Sequence, residues 1–209
     1  MARLLRAAGL AGYHRRRPRT AVADPAQPAA PNLVARDFSA AGVHRLWLGD
    51  STSLPTREGW LYRAVLLEAH SRRVVGWALA DHVRTELARD ALTMARQARR
   101  PSPGLVHHTD RGGQYTARAY QGALAARGLV SSMRRAGDCL DNAMAERCFS
   151  TLKVELVDGR SWTTRASARS AVFAWLAVRY NRQRRHAALA YQPPAAFEEE
   201  LLLLHEHAA

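Results

Sequence analysis

The sequence predicts an α/β fold: a mixed five-stranded sheet flanked by helices. Two observations carry that expectation. Three strand-length apolar runs come first, joined by short turns. Helical periodicity then alternates with two further short apolar runs, before two long helices near the end.

Residues 44–54 form the first strand, with Asp50 inside it. Gly59 to Glu68 is an apolar run of strand length, Ser71-Arg72-Arg73 makes a turn, and Val74 to Ala80 forms a third strand. So short a connection implies an antiparallel hairpin. Residues 84–99 place Leu87, Ala91, Met94 and Ala95 at helical spacing, with Thr85 as N-cap and Pro101 beyond the end. Leu105 to His108 is a short strand, residues 116–127 a helix ended by Gly128, and Leu129 to Met133 the last strand. Residues 141–157 form the next helix, capped by Asp141, with Phe149, Leu152 and Leu156 on one apolar face. A helix over 164–180 buries Val172, Phe173, Leu176 and Tyr180. The chain then turns at Pro193-Pro194 and closes with a short amphipathic helix. Hairpin strands followed by βα units give a mixed sheet covered by helices.

The remaining stretches divide the chain. Residues 1–34 hold a short helix, Arg3 to Gly9, and an arginine-rich linker interspersed with Pro and Ala. Residues 35–198 form the compact core and 199–209 the C-terminal tail. With 209 residues and 47% hydrophobic content, one domain with appendages is expected.

The net charge of +13 and a pI near 11.1 are the footprint of a nucleic-acid partner. Lys153 is the only lysine, so 30 of the 31 basic residues are arginine, which also reflects compositional bias. Cys139 and Cys148 lack the spacing of a zinc site, and two cysteines suit a reducing cytosol. No apolar run reaches the roughly 18 residues of a membrane span. The start, MARLLRAAGLAGYHRRR, lacks a signal peptide's apolar region and cleavage site.

Three carboxylates stand out by their surroundings. Asp50 interrupts an apolar strand, where a charge is costly unless a cation compensates it. Asp110 follows a strand end and precedes Gly112 and Gly113, which permit close approach of backbone and substrate. Glu146 lies early in a helix, with Lys153 seven residues on and on the same face. Residues 111–145, 35 in all, separate Asp110 from Glu146, but spacing alone is weak among 18 acidic residues. Carboxylates brought from two strands and a helix could hold a pair of Mg²⁺ ions that activate a water or hydroxyl and steady a phosphodiester's leaving oxygen. A strand-end hydrogen bond, a turn residue and a solvated helix charge are the bland readings of the three. His107 and His108 face opposite ways, so at most one reaches this region.

Basic residues cluster at both ends. Arg15, Arg16, Arg17 and Arg19 either sit on DNA phosphates or form a solvated linker. Arg179, Arg182, Arg184, Arg185 and His186, interleaved with Tyr180 and Tyr191, suit backbone contact, since arginine both reads phosphates and stacks.

HHTDRGGQYT, SSMRRAGDCLDNAMAERCFSTLKVEL and YNRQRRHAALAYQPPAAF together resemble the signature blocks of the IS3 family of insertion-sequence transposases. More narrowly, residues 33–198 are similar to the second reading-frame product with its retroviral-integrase-type core. The resemblance implies a ribonuclease-H-like fold and DDE chemistry: strand cleavage and strand transfer by in-line phosphoryl transfer. Asp50, Asp110 and Glu146 fall on the family's metal ligands, for two Mg²⁺ ions with Mn²⁺ as a substitute. Lys153 falls on a position that contacts DNA near the site. The implied partners are element ends, target DNA and further copies of the chain, in the bacterial cytoplasm at the nucleoid. The family usually carries a helical DNA-binding region before the core, of which only MARLLRAAGLAGYHRRR corresponds here. A truncated, transposition-incompetent DNA-binding or regulatory remnant is therefore the alternative expectation. Arg147-Cys148 stands where Ser-Phe is usual, and adds a positive charge beside Glu146.

Overall fold

The computed structural model describes residues 29–135, 143–157 and 160–207. Arg3 to Gly9, Arg15, Arg16, Arg17, Arg19 and the Asp141 cap lie outside these residues. Five strands form one sheet: β1 (Leu46–Thr56), β2 (Gly59–Glu68), β3 (Val74–Ala80), β4 (Val106–Thr109) and β5 (Val130–Met133), in the order β3-β2-β1-β4-β5. β1, β2 and β3 pair antiparallel, whereas β4 and β5 run parallel to β1. The mixed five-stranded sheet is thus present, with strand limits one or two residues from those expected.

Helices cover both faces. Leu46, Leu48, Leu61, Val65 and Leu67 bury one face against α4 (Ala143–Leu152) and α5 (Arg165–Ala174), where Phe149, Leu152 and Val172 meet them. Trp47, Ala64, Leu66 and Val75 bury the other against α1 (Thr85–Arg99) and α3 (Arg118–Ala125), through Leu87, Ala91, Leu92 and Tyr120. The alternation follows from the two-residue period of a strand. Approach is closest at Gly76, where a Cβ would collide with the Ala91 carbonyl.

Several local expectations are corrected. Thr85 is the first helical residue of α1 and Arg84 occupies the cap, without a side-chain hydrogen bond. The helix expected over 116–127 is two elements, α2 (Gly113–Thr116) and α3, separated by extended backbone at Ala117. α4 and α5 do not continue as single α-helices: each passes into a π-helical segment, Lys153–Val157 and Trp175–Gln183. Phe173, expected to be buried, is exposed at the last turn of α5 with its ring edge-to-face against Trp77, and Trp175 fills the core instead. Thr164 caps α5, accepting the Ser167 amide at 3.1 Å. The last helix, α6 (Pro194–His207), begins at the expected turn because proline fits a first helical position.

Candidate active site

Strand register brings the first two acids together. The parallel register of β1 and β4 ends at Gly49 and Thr109, which leaves Asp50 and Asp110 each one residue past its end. Aligned residues of parallel strands point to one face, about 4.8 Å apart strand to strand. That face is the one covered by α4, since Leu46 and Leu48 share Asp50's parity and pack against α4 residues. Glu146 is exposed in the first turn of α4.

Each aspartate is held by a local amide. Asp50 accepts a hydrogen bond from the Ser51 N–H at 2.7 Å, and Asp110 from the Gly112 N–H at 2.9 Å. Ser51 Oγ in turn accepts from Gln114 Nε2 at 2.8 Å, tying β1 to α2. Burial first, and then the charges of Asp110 and Glu146, push the Asp50 carboxyl up to about 8, against the Ser51 amide and Arg134. The three carboxylates therefore share one electrostatic field. Among the described residues, however, no three His, Cys, Asp or Glu side chains are gathered closely enough to hold a metal ion.

The histidines play structural parts. His107 and His108 are fully buried, on opposite faces. His107 shares a 2.8 Å hydrogen bond with the Tyr120 hydroxyl, and His108 one of 2.8 Å with Ser132. Burial, with His108 beside it, holds His107 down at about 3, so it stays neutral. Tyr115 is packed at zero exposure.

The expected DNA-contact residues separate into groups. Lys153 is exposed, like Glu146, and stands at the first position of the π-helical segment. Arg182 and Arg185 are exposed. Arg184 is half-buried and held by Glu155 at 2.9 Å, so its charge is largely spent within the chain. His186 is half-buried, its ring edge-to-face with Tyr180 at 5.0 Å.

Arg63 was not anticipated. Only 1% exposed, it lies on the Asp50 face of β2, with its guanidinium carbon 4.8 Å from the Phe149 ring centroid. Burial pulls it down to about 10, and Cys148 and Asp50 oppose that, so it remains cationic at neutral pH. The available signal was parity: Arg63 falls between Leu61 and Val65 on the buried face of its strand.

Comparison with known proteins agrees with this geometry. Two family models, each described as an integrase core domain, match residues 40–139 and 127–194. The transposase for insertion sequence element IS904 of Lactococcus lactis is 42% identical over 169 residues, covering 81% of this chain and 67% of that protein. Transposase InsF for insertion sequence IS3A of Escherichia coli is 42% identical over 175 residues, covering 84% of this chain and 61% of that protein. The chain thus spans about two thirds of the length of these curated relatives. Among solved structures, the HTLV-2 integrase catalytic core in complex with magnesium superposes with TM-score 0.55 at 11% identity, covering 76% of this chain and 99% of that one. The catalytic core of BIV integrase gives 0.54 at 18% identity, covering 79% and 97%. These likenesses show the ribonuclease-H-like fold. The chain belongs to the IS3 family of insertion-sequence transposases, and its described domain is their integrase-type core.

Proposed function

We propose that this chain cuts and joins DNA by metal-dependent in-line phosphoryl transfer, with Asp50, Asp110 and Glu146 as the metal-binding carboxylates. The observation that carries the reading is the field at Asp50, a half-buried strand carboxylate held near 8 with Asp110 and Glu146 as its like-charged neighbours. Such an arrangement is unfavourable for three anions and suits a hard divalent cation. An all-oxygen donor set fits Mg²⁺, with Mn²⁺ as a substitute. Bound there, the metal supplies Lewis acidity toward a water or 3′-hydroxyl and charge neutralisation at the leaving oxygen.

The chain's own residues position the reactants. Asp50 is held by its pairing with Val65 and by the Ser51 amide, and Asp110, just past β4, by the Gly112 amide. Glu146 approaches from the start of α4. Lys153, Arg182 and Arg185 neutralise DNA phosphates, as does the basic run Arg15, Arg16 and Arg17. With the transferred group passed directly between oxygens, catalysis is positioning and electrostatics, and no side chain becomes covalently attached. The substrates are element ends and target DNA, and copies of the chain assemble on them.

Incubation with linear element ends and Mg²⁺ tests the reading. Nicked and strand-transferred products that disappear in Asp110→Asn are expected. DNA retention without any metal-dependent product, unchanged by Asp110→Asn, would instead identify a binding remnant.

A further inference from the structure

A cavity of about 400 Å³ opens between α4, the turn joining β2 to β3, and residues 184–191. Asp50, Asp110 and Glu146 are not among its lining residues. Its floor includes Leu67, two residues along β2 from the Val65 that pairs with Asp50. Its charged walls are of one sign: Arg72, Arg147, Arg184 and Arg185 line it, and among the described residues no carboxylate does. Arg184 is already engaged by Glu155. The other three form no ion pair among the described residues.

Two further features mark this cavity as built for an occupant. Arg72 Nε and His186 Nε2 are buried, yet meet no hydrogen-bond partner among the described residues. Buried polar atoms are ordinarily satisfied. The backbone is also strained at two of its walls: Arg72 and Tyr191 hold φ of 60° and 61°, the left-handed region that side chains avoid. That conformation turns Tyr191 outward at the mouth, where it is 69% exposed. Burial, with Arg184 and Arg72 nearby, holds His186 down at about 4, so the ring adds hydrogen bonding rather than charge at neutral pH.

We infer that the cavity is a nucleotide pocket: it takes one unstacked nucleotide of a DNA strand, phosphate among Arg72, Arg147 and Arg185, base against Tyr191. The volume lies within the roughly 300–1,000 Å³ of small-molecule sites and exceeds what a bare phosphate fills. Cationic walls beside an aromatic face are the combination that holds single strands, since charge tracks the backbone while any base can stack. That the strand is DNA rests on the function proposed above; the anion chemistry does not.

A fluorescent single-stranded DNA dodecamer, titrated into the full chain carrying Asp110→Asn so that nothing is cut, tests the pocket. Arg147→Gln and Tyr191→Ala alter exposed side chains, and circular dichroism verifies that both variants fold. Each is expected to weaken single-strand binding about tenfold while changing duplex binding less. Unchanged single-strand affinity, or an equal loss on duplex, overturns the inference. Deoxynucleoside monophosphate should displace the dodecamer at lower concentration than inorganic phosphate. Equal displacement by the two overturns the base contact and reduces the cavity to a phosphate site. Cleavage by the unaltered chain is scored separately. Tyr191-dependent strand binding without cleavage would sink the proposed function and leave the pocket standing. Cleavage without Tyr191 dependence would do the reverse.

Discussion

Gly49 and His107 occupy a single space. A Cβ at position 49 would lie 2.7 Å from the His107 Cε1, and the imidazole cannot withdraw because its Nε2 is bonded to Tyr120. Glycine next to Asp50 is therefore the condition for β1 and β4 to sit side by side. Gly49→Ala should cost about 1–3 kcal/mol, the usual range for overpacking, and should displace Asp50 from Asp110. Urea unfolding reads the first effect, and metal-dependent cleavage at a temperature where the variant is folded reads the second. Wild-type stability in Gly49→Ala would contradict the contact.

Asp50 should make the metal-free protein less stable in alkali. Its folded carboxyl, raised by burial and then by Asp110 to about 8, binds a proton that the unfolded chain releases near 4. Stability from this group is complete below the unfolded value and is lost as pH rises toward 8. Asp50→Asn should remove that slope and melt higher than the parent at pH 8.5. Thermal melts in chelator across pH 5–9 measure it, and parallel curves for the two proteins would refute the assignment.

Glu198 should act in the opposite direction. Burial opposes its charge, but the Ser71 hydroxyl, Arg99 and Arg73 outweigh burial and hold the carboxyl below its ordinary value. Both guanidinium contacts are 2.7 Å, and the Ser71 hydroxyl donates at 2.6 Å. With a depressed folded pKa, its stabilisation is present above the unfolded value and lost as pH falls through the folded one. Glu198→Gln should cost about 2–3 kcal/mol at pH 7, the scale of charge-assisted hydrogen bonds, and much less at pH 3. Equal losses at both pH values would show that shape rather than charge holds α6 to the β2–β3 turn.

DNA binding should fall steeply with salt, because each neutralised phosphate releases counterions. Arg185→Ala should lower the slope of log affinity against log salt by about one. Arg184→Ala should change it less, since Glu155 already neutralises that side chain. Anisotropy titrations over a salt series distinguish the two, and identical slopes would contradict the ion-pair assignment.

The sheet was legible because its signals are local. Alternating apolar runs and the short Ser71-Arg72-Arg73 turn specify β1 to β3 within their own residues. The acidic site was legible in part: strand and turn context singled out Asp50 and Asp110, but their places just past the end of one register depend on β1 pairing with a strand some 60 residues away. The π-helical segments were hidden, since an i to i+4 pattern does not announce one wider turn. Trp175 rather than Phe173 enters the core, a choice the apolar spacing alone did not fix. Arg63 was missed because charge ordinarily marks the outside of a strand, and only the Phe149 ring and the Asp50 face explain a guanidinium within.

The central place of β1 sets how the site can move. Its first half is bonded on both edges, to β2 on one side and β4 on the other. Asp50 follows directly on this doubly bonded stretch and is itself paired with Val65 of β2, so freeing the strand that carries it is nearly the opening of the whole domain. Amide exchange at Trp47 and Leu48 should therefore be as slow as global unfolding allows. The strand that carries Asp50 is then among the last parts of the chain to fluctuate, and any adjustment to a bound partner falls to the elements around it.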